Sequence, residues 1–330
     1  MQPLRRKVVG LIITGMLAAA AGVPAAYAAD AWPSRMIRVV VPYPPGGSAD
    51  LLGRLVAKKL SEAEPGAKVV VENISGGATV PGALSVLKDP ADGHTLFMAS
   101  DNTLNLNHWL LKNPGYDADK DFTPVTVLNT YPHWLIVNPN GKHKDFASFV
   151  DYIRANPGMA SISVNTVGGS AYLALDAWRR ANKLDFMIVP YRGSPPAVTD
   201  LIGGQTDAHV DVVGSSVALA RGGKVKPIAV LQTDPLDEFP DAATQNYDDP
   251  KALTVRANLS VVVRSGAPQP VIDKIYAILN KGVKDPDFVK ALADLKYPAV
   301  MIEPAKAQAF VRGETQRYGK LVAESGLEKQ

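Results

Sequence analysis

From Ile37 onward, short apolar runs alternate with stretches of helical period, and this alternation narrows the fold more than any other feature. The apolar runs are Ile37–Pro42, Val69–Glu72, Thr95–Ala99, Ser161–Val164, Met187–Pro190, His209–Val213 and Ile228–Leu231. Between them lie amphipathic stretches at Ala49–Ser61, Phe146–Arg154, Ala171–Asn182, Ala197–Ile202 and Val271–Lys281. Strands alternating with helices of this length predict an α/β protein with parallel sheets covered on both faces. At 330 residues the chain is too long for one ordinary core and long enough for two domains.

The first 28 residues stand apart. Met1–Lys7 carries three positive charges, Val8–Gly22 is apolar and rich in small residues, and Ala26-Tyr27-Ala28 supplies a small-x-small site. That is the build of a secretory signal peptide, residues 1–28, with cleavage expected after Ala28. A permanent anchor fits less well, because the apolar core is short and Pro24 interrupts it. The mature chain divides near 129–131. Residues 29–131 and 257–330 are expected to form one lobe and 132–256 the other, with the polar, proline-containing stretch Asp234–Asn258 crossing back.

Composition excludes several functions. The net charge of +3, with no basic run beyond Arg5-Arg6-Lys7, gives no footprint for nucleic acid. The absence of cysteine removes disulfides, thiolate catalysis, iron–sulfur clusters and cysteine-ligated zinc.

Two strand-to-helix turns share one chemistry: Tyr43-Pro44-Pro45-Gly46-Gly47-Ser48 and Asn165-Thr166-Val167-Gly168-Gly169-Ser170. Each leads directly into a helical pattern. A helix start offers unpaired N–H groups and a positive dipole end, which suit phosphate, sulfate or carboxylate. Gly46-Gly47 and Gly168-Gly169 allow a ligand close to the backbone. Ser48 and Ser170 can cap their helices or turn a hydroxyl toward a ligand. One such turn would be read as a well-capped helix; two matching turns, one per lobe, favour an anion site. Neither has P-loop, Rossmann or nucleophile-elbow spacing.

No catalytic constellation accompanies them. His94, His108, His133, His143 and His209 show no metal-ligand spacing and no triad order. His108, His133 and His209 are close enough in the pattern to reach a cleft. Without a base near Ser48 or Ser170, an exported hydrolase is the weaker reading. Asp211, at the end of an apolar strand, needs a partner against desolvation: it either caps the next helix or faces a ligand. Tyr43, Trp134, Tyr172 and Tyr191 are candidate aromatic walls that would suit an aromatic carboxylate.

The segments "RVVVPYPPGGSADLLGRLVAKKLSE", "VVVENISGGATVPGALSVLKDPADGHTLFMAS", "DFTPVTVLNTYPHWLIVNP" and "VPYRGSPPAVTDLIGGQTDAHVDVV" resemble the extracytoplasmic solute receptors of tripartite tricarboxylate transporters, the TctC-like or Bug family. The resemblance implies a two-lobed periplasmic binding protein fold, each lobe a mixed, mostly parallel sheet flanked by helices, with the cleft between them. It implies a monomeric periplasmic receptor, not an enzyme, with no cofactor or metal, that delivers a small organic acid, a di- or tricarboxylate, to inner-membrane transporter subunits. A ligand-sensing receptor for a signalling partner is the alternative. The carboxylate is expected on the turns matching Tyr43–Asp50 (Tyr43, Pro44, Gly46, Gly47, Ser48, Asp50) and Asn165–Tyr172 (Asn165, Gly168, Gly169, Ser170, Tyr172). Ser100 joins that set, and Asp211 is expected at the distal part of the ligand. The chain departs from the family at Ser75-Gly76-Gly77-Ala78-Thr79, which has one glycine fewer, and across Gln232–Ala257, where "FPDAATQNYDDP" replaces the usual run.

Overall fold

The computed structural model describes residues 32–329 except Val167, Arg256, Pro298 and Gly326; the expected signal peptide lies outside the described residues. Twelve strands form two six-stranded sheets. The first contains β1 (Ile37–Val41), β2 (Val69–Asn73), β3 (Thr95–Ser100), β4 (Phe122–Thr130), β11 (Asn258–Arg264) and β12 (Ala299–Ile302), in the order β12-β4-β11-β3-β1-β2. The second contains β5 (His133–Val137), β6 (Ser161–Val164), β7 (Met187–Pro190), β8 (Ala208–Val212), β9 (Lys226–Val230) and β10 (Ala243–Thr244), in the order β10-β9-β5-β8-β6-β7.

Both sheets are mixed. Beside the parallel pairs β1–β2, β1–β3, β6–β7, β6–β8 and β9–β10 run antiparallel ones: β11 against β3 and β4, β12 against β4, and β5 against β8 and β9. Mixed sheets flanked by helices are what the resemblance implied; the alternation alone pointed to parallel sheets. β5 and β11 each follow the preceding strand without an intervening helix; they are where the chain enters and leaves the second lobe. Their burial is near-continuous, BBBBB for His133–Val137, because helices cover both faces.

The lobes have separate cores. One gathers Val39, Leu52, Val56, Leu96, Met98, Val261 and Ile275. The other gathers Leu135, Phe149, Ile162, Leu175, Trp178, Phe186 and Val210. Local signals fix the helices. The Phe146–Ala155 helix starts at a capping box, with the Ser148 amide donating to Asp145 (2.8 Å) and the Asp145 amide donating to the Ser148 hydroxyl (3.2 Å). The helix Ser48–Ala63 buries Leu52, Val56 and Leu60, at i, i+4 and i+8, against the first sheet.

The chain crosses between sheets at 131–132 and again at 245–257. A third tie is the C-terminal helix Pro304–Ser325. Its Tyr318 and Val322 pack with Leu106 and Leu110 of the first lobe and Leu173 of the second.

Candidate functional site

Four helices begin at one cavity: Ser48–Ala63 from the first lobe, and Ser170–Ala181, Ser194–Ile202 and Val213–Arg221 from the second. Their N-cap residues are Gly47, Gly169, Gly193 and Val212; all four line the cavity, and none of the four helices has a side-chain cap. The capping role open to Ser48 and Ser170 is thus not taken up, because both are already the first helical residue. Four helix dipoles point their positive ends at the space. Of the first-turn amides, that of Ser48 donates to the Ser215 hydroxyl and that of Val213 to the Pro132 carbonyl, and Pro195 and Pro196 have none, so the free donors come mainly from the Ser48 and Ser170 turns. The cavity is partly open to solvent, and among the described residues no Lys or Arg lines it.

Of the residues expected from sequence, Tyr43, Pro44, Gly47, Ser48, Asn165, Gly169 and Ser170 line this space. The others stand behind it, each for a definable reason. Gly46 has φ +82° and donates its amide to Asp50 (2.9 Å), so that amide faces away from the cleft. Asp50 is 2 % exposed and also accepts from Arg54 (3.0 Å) and Asn73 (3.0 Å), while Asn73 donates to the Tyr43 carbonyl (3.0 Å). Burial alone would raise the Asp50 pKa; these three partners hold it below the usual value. This group is a strut that sets the turn. Ser100 shares a hydrogen bond with the Tyr43 hydroxyl (3.0 Å). Gly168, φ +64°, lets Leu110 of the first lobe come so close that a Cβ would stand 2.7 Å from it. Tyr172 borders a separate crevice with Gly77, Ala78 and Leu110.

Asp211 is fully buried behind the wall rather than at its surface. It accepts from Ser194 (2.7 Å), Ser216 (2.6 Å), the Val212 amide (2.8 Å) and Asn165 (3.1 Å). Burial pushes its pKa up, but His209 and the serine hydroxyls outweigh that and leave it lowered. Asp211 is therefore the resident anion between the starts of two helices, and it reaches the cavity through Asn165, Ser194 and the Val212 amide. Trp134 is core, donating to Ser216 (3.1 Å), and the Tyr191 hydroxyl donates to Asp200 (2.6 Å). Of the candidate aromatic walls Tyr43 lines the cavity, and Tyr131 and Tyr297 join it.

Several lining residues were not read from sequence: Asp101, Asn102, Thr166, Ser194, Ser215, Leu259 and Tyr297. Asp101 is 3 % exposed and accepts from the hydroxyls of Tyr131 (3.2 Å) and Tyr318 (2.8 Å), with Ser170 beside it. Burial raises its pKa and these hydroxyls only partly offset that. The signal for Asp101 is a carboxylate directly after the mostly apolar run Thr95–Ser100, similar to but not the same as that of Asp211 inside the end of its own strand.

Among the histidines only His133 lines the cavity. Burial lowers its pKa to about 4, so it is neutral near pH 7. His209 is core against Ser163 (2.9 Å), His143 sits beside Asp207 (3.3 Å), His94 accepts from the Ser34 amide (2.9 Å), and His108 is exposed. Among the described residues no hydrogen bond joins His108 or His133 to Ser48 or Ser170, and no His/Asp/Glu group suits a metal ion.

The lobes are closed on each other. The Ser48 amide donates to the Ser215 hydroxyl (3.1 Å), which bonds the Ser48 hydroxyl (3.0 Å). Pro44 abuts Gly193, and Tyr297 abuts Gly214. At the rim, Glu238 of the second lobe takes Arg221 (2.5 Å) and, across the gap, Lys296 (2.9 Å).

A family model described as "Tripartite tricarboxylate transporter family receptor" matches residues 52–327. Protein BugT of Bordetella pertussis is 29 % identical over 317 residues, covering 96 % of this chain and 97 % of that protein. The R. palustris protein Rpa4515, solved with adipate, superposes with a TM-score of 0.84 at 26 % identity, over 91 % of this chain and 100 % of that one. MatC of Rhodopseudomonas palustris, solved with bound malate, gives 0.78 at 27 % identity, over 88 % and 100 %.

Proposed function

Because this chain belongs to the receptor family of tripartite tricarboxylate transporters, we propose that it captures a small organic carboxylate between its lobes and hands the closed form to two inner-membrane subunits. The observation that carries the ligand chemistry is the convergence of four helix starts, without N-cap side-chain caps, on a cavity with no cationic side chain among the described residues. Such a site holds an anion by backbone N–H groups and dipoles. In this reading Gly47, Ser48, Gly169 and Ser170 grip the carboxylate, while Tyr43, Tyr131 and Tyr297 form the walls. Relatives solved with adipate and malate support an organic acid.

The chain acts after export through a cleaved signal peptide, residues 1–28, and carries out no chemistry. No helix among the described residues is long and apolar enough to cross a membrane. The two crossings between sheets serve as the hinge, and the Ser48–Ser215 and Glu238–Lys296 contacts hold the closed form that the membrane subunits read. The test is a thermal-shift and calorimetric screen of aliphatic and aromatic carboxylates on the mature protein. A concentration-dependent rise in Tm for some acid is expected. A folded protein that responds to no acid would overturn the reading.

A further inference from the structure

Two amide oxygens in the cavity wall have no donor, and the network behind each one sets its orientation. Asn102, 2 % exposed, comes from the first lobe; Asn165 comes from the second. The Asn165 Nδ2 donates to Asp211 Oδ1 (3.1 Å), a carboxylate that can only accept, so the Oδ1 of Asn165 is turned the other way. The Asn102 Nδ2 donates to the Ala78 carbonyl (3.4 Å) and to Asn107 Oδ1 (3.4 Å). Asn107 uses its own Nδ2 on Ala78 (2.8 Å) and Tyr116 (2.9 Å), which fixes its Oδ1 as acceptor. Neither amide can flip without setting acceptor against acceptor. Both Oδ1 atoms are buried and unpartnered among the described residues.

A buried acceptor without a donor is costly, so these oxygens mark where the occupant must offer O–H or N–H groups. Among the described residues the same wall contains Asp101 and no Lys or Arg. A second carboxylate placed against the two asparagines and Asp101 would meet acceptors and an acidic side chain, with no described cation there to offset its desolvation. The helix starts provide for a carboxylate; the asparagines provide for donors.

We propose that the cavity selects a monocarboxylate bearing hydroxyl or amino donors, read by the Oδ1 atoms of Asn102 and Asn165, over a plain dicarboxylate. This rests on the carboxylate-receptor reading and narrows its ligand class. The donor-bearing acid bridges both lobes through one asparagine on each, so it favours the closed form as well as binding within it.

The test is calorimetry on the mature wild-type protein with two matched series. One is butyrate, succinate, γ-hydroxybutyrate and γ-aminobutyrate; the other is hexanoate, adipate, ε-hydroxyhexanoate and ε-aminohexanoate. In at least one series a hydroxy or amino acid is expected to bind about tenfold or more tighter than both the plain acid and the dicarboxylate, because a site built around polar partners rejects the analogue that leaves them unpaired. The hydroxy and amino arms separate a neutral donor from an ammonium. In Asn165→Ala that preference should narrow by about tenfold. If succinate or adipate, or the unsubstituted acid, binds as tightly as the donor-bearing one, the inference fails while the carboxylate reading stands. If no acid in either series or in the wider screen binds, both fail.

Discussion

Gly214→Ala separates lobe closure from lobe stability. Gly214 lies in the first turn of the Val213–Arg221 helix, and a Cβ there would stand 2.6 Å from both Cζ and the hydroxyl of Tyr297 and 2.9 Å from the Leu295 carbonyl oxygen. Gly214 and Tyr297 belong to opposite lobes. Ordinary carbon contacts begin near 3.5 Å, so the lobes must part by about 1 Å at this point to admit a methyl group. Ser215, the next residue, makes the Ser48 contacts at 3.0 and 3.1 Å, and the same parting breaks them. At about 1 kcal/mol net for each hydrogen bond, closure loses ~2 kcal/mol, which is about thirtyfold in Kd. Within the second lobe the change is benign. Alanine in a helix is favoured over glycine by up to about 1 kcal/mol, and no positive φ is involved. The variant should therefore have an unliganded Tm equal to or above wild type and about thirtyfold weaker binding of the best acid from the screen, measured by calorimetry. Solution scattering with saturating ligand should show a larger radius of gyration than the wild-type complex. Unchanged affinity, or a fully compact complex, would show that Tyr297 yields and that this contact does not gate closure.

Asp211→Ala leaves the Ser194, Ser216 and Asn165 donors buried and unpaired, and should cost on the order of 3–5 kcal/mol in denaturant unfolding. A lowered carboxylate pKa stabilises the fold above its unfolded value of 3.8 and loses that contribution as pH falls through the folded value. Wild-type urea midpoints should accordingly drop below about pH 4, and Asp211→Asn should show a flatter profile; equal slopes would remove Asp211 as the cause. Glu238→Gln removes a half-exposed clasp between the lobes, held well below the usual carboxylate range by Arg221 and Lys296. Binding should weaken by no more than about fivefold at low ionic strength, and the difference should vanish at high salt, as for an exposed pair. A salt-independent loss would point to a direct ligand contact instead. Tyr318→Phe takes one donor from buried Asp101 and should lower Tm by the equivalent of about 1–3 kcal/mol; no change would mean that Asp101 is satisfied without it.

Local pattern was a good guide wherever one residue's neighbours in sequence are also its neighbours in space. The runs Ser161–Val164 and Met187–Pro190 are strands to the residue, and the Ser48 and Ser170 helices begin within a residue of their expected starts. Phe122–Thr130 and Asn258–Arg264 did not announce themselves, because their antiparallel partners lie more than a hundred residues away and Pro124, Asn129 and the threonines break up the first run. The same limit applied to the site. Gly47 and Gly169 follow from two visible glycine-rich turns. Gly193 and Val212, the other two helix starts, have no repeated motif and join the cavity only through the strand order of the second sheet.

The two carboxylates mark the boundary most sharply. Asp101 directly follows β3, and Asp211 is the next-to-last residue of β8, so each is a carboxylate at the end of a buried strand. From sequence, Asp211 needed a partner against desolvation, and Asp101 was not singled out. Which one borders the ligand was decided by packing. Ser194, Ser216, Asn165 and a backbone amide close around Asp211, whereas Asp101 meets Tyr131, Tyr318 and Ser170 from three separate parts of the chain and is left at the cavity wall. Those donors converge only after both lobes and the C-terminal helix are in place. A backbone periodicity records local geometry, and a shared hydrogen-bond network between distant segments leaves no trace in it.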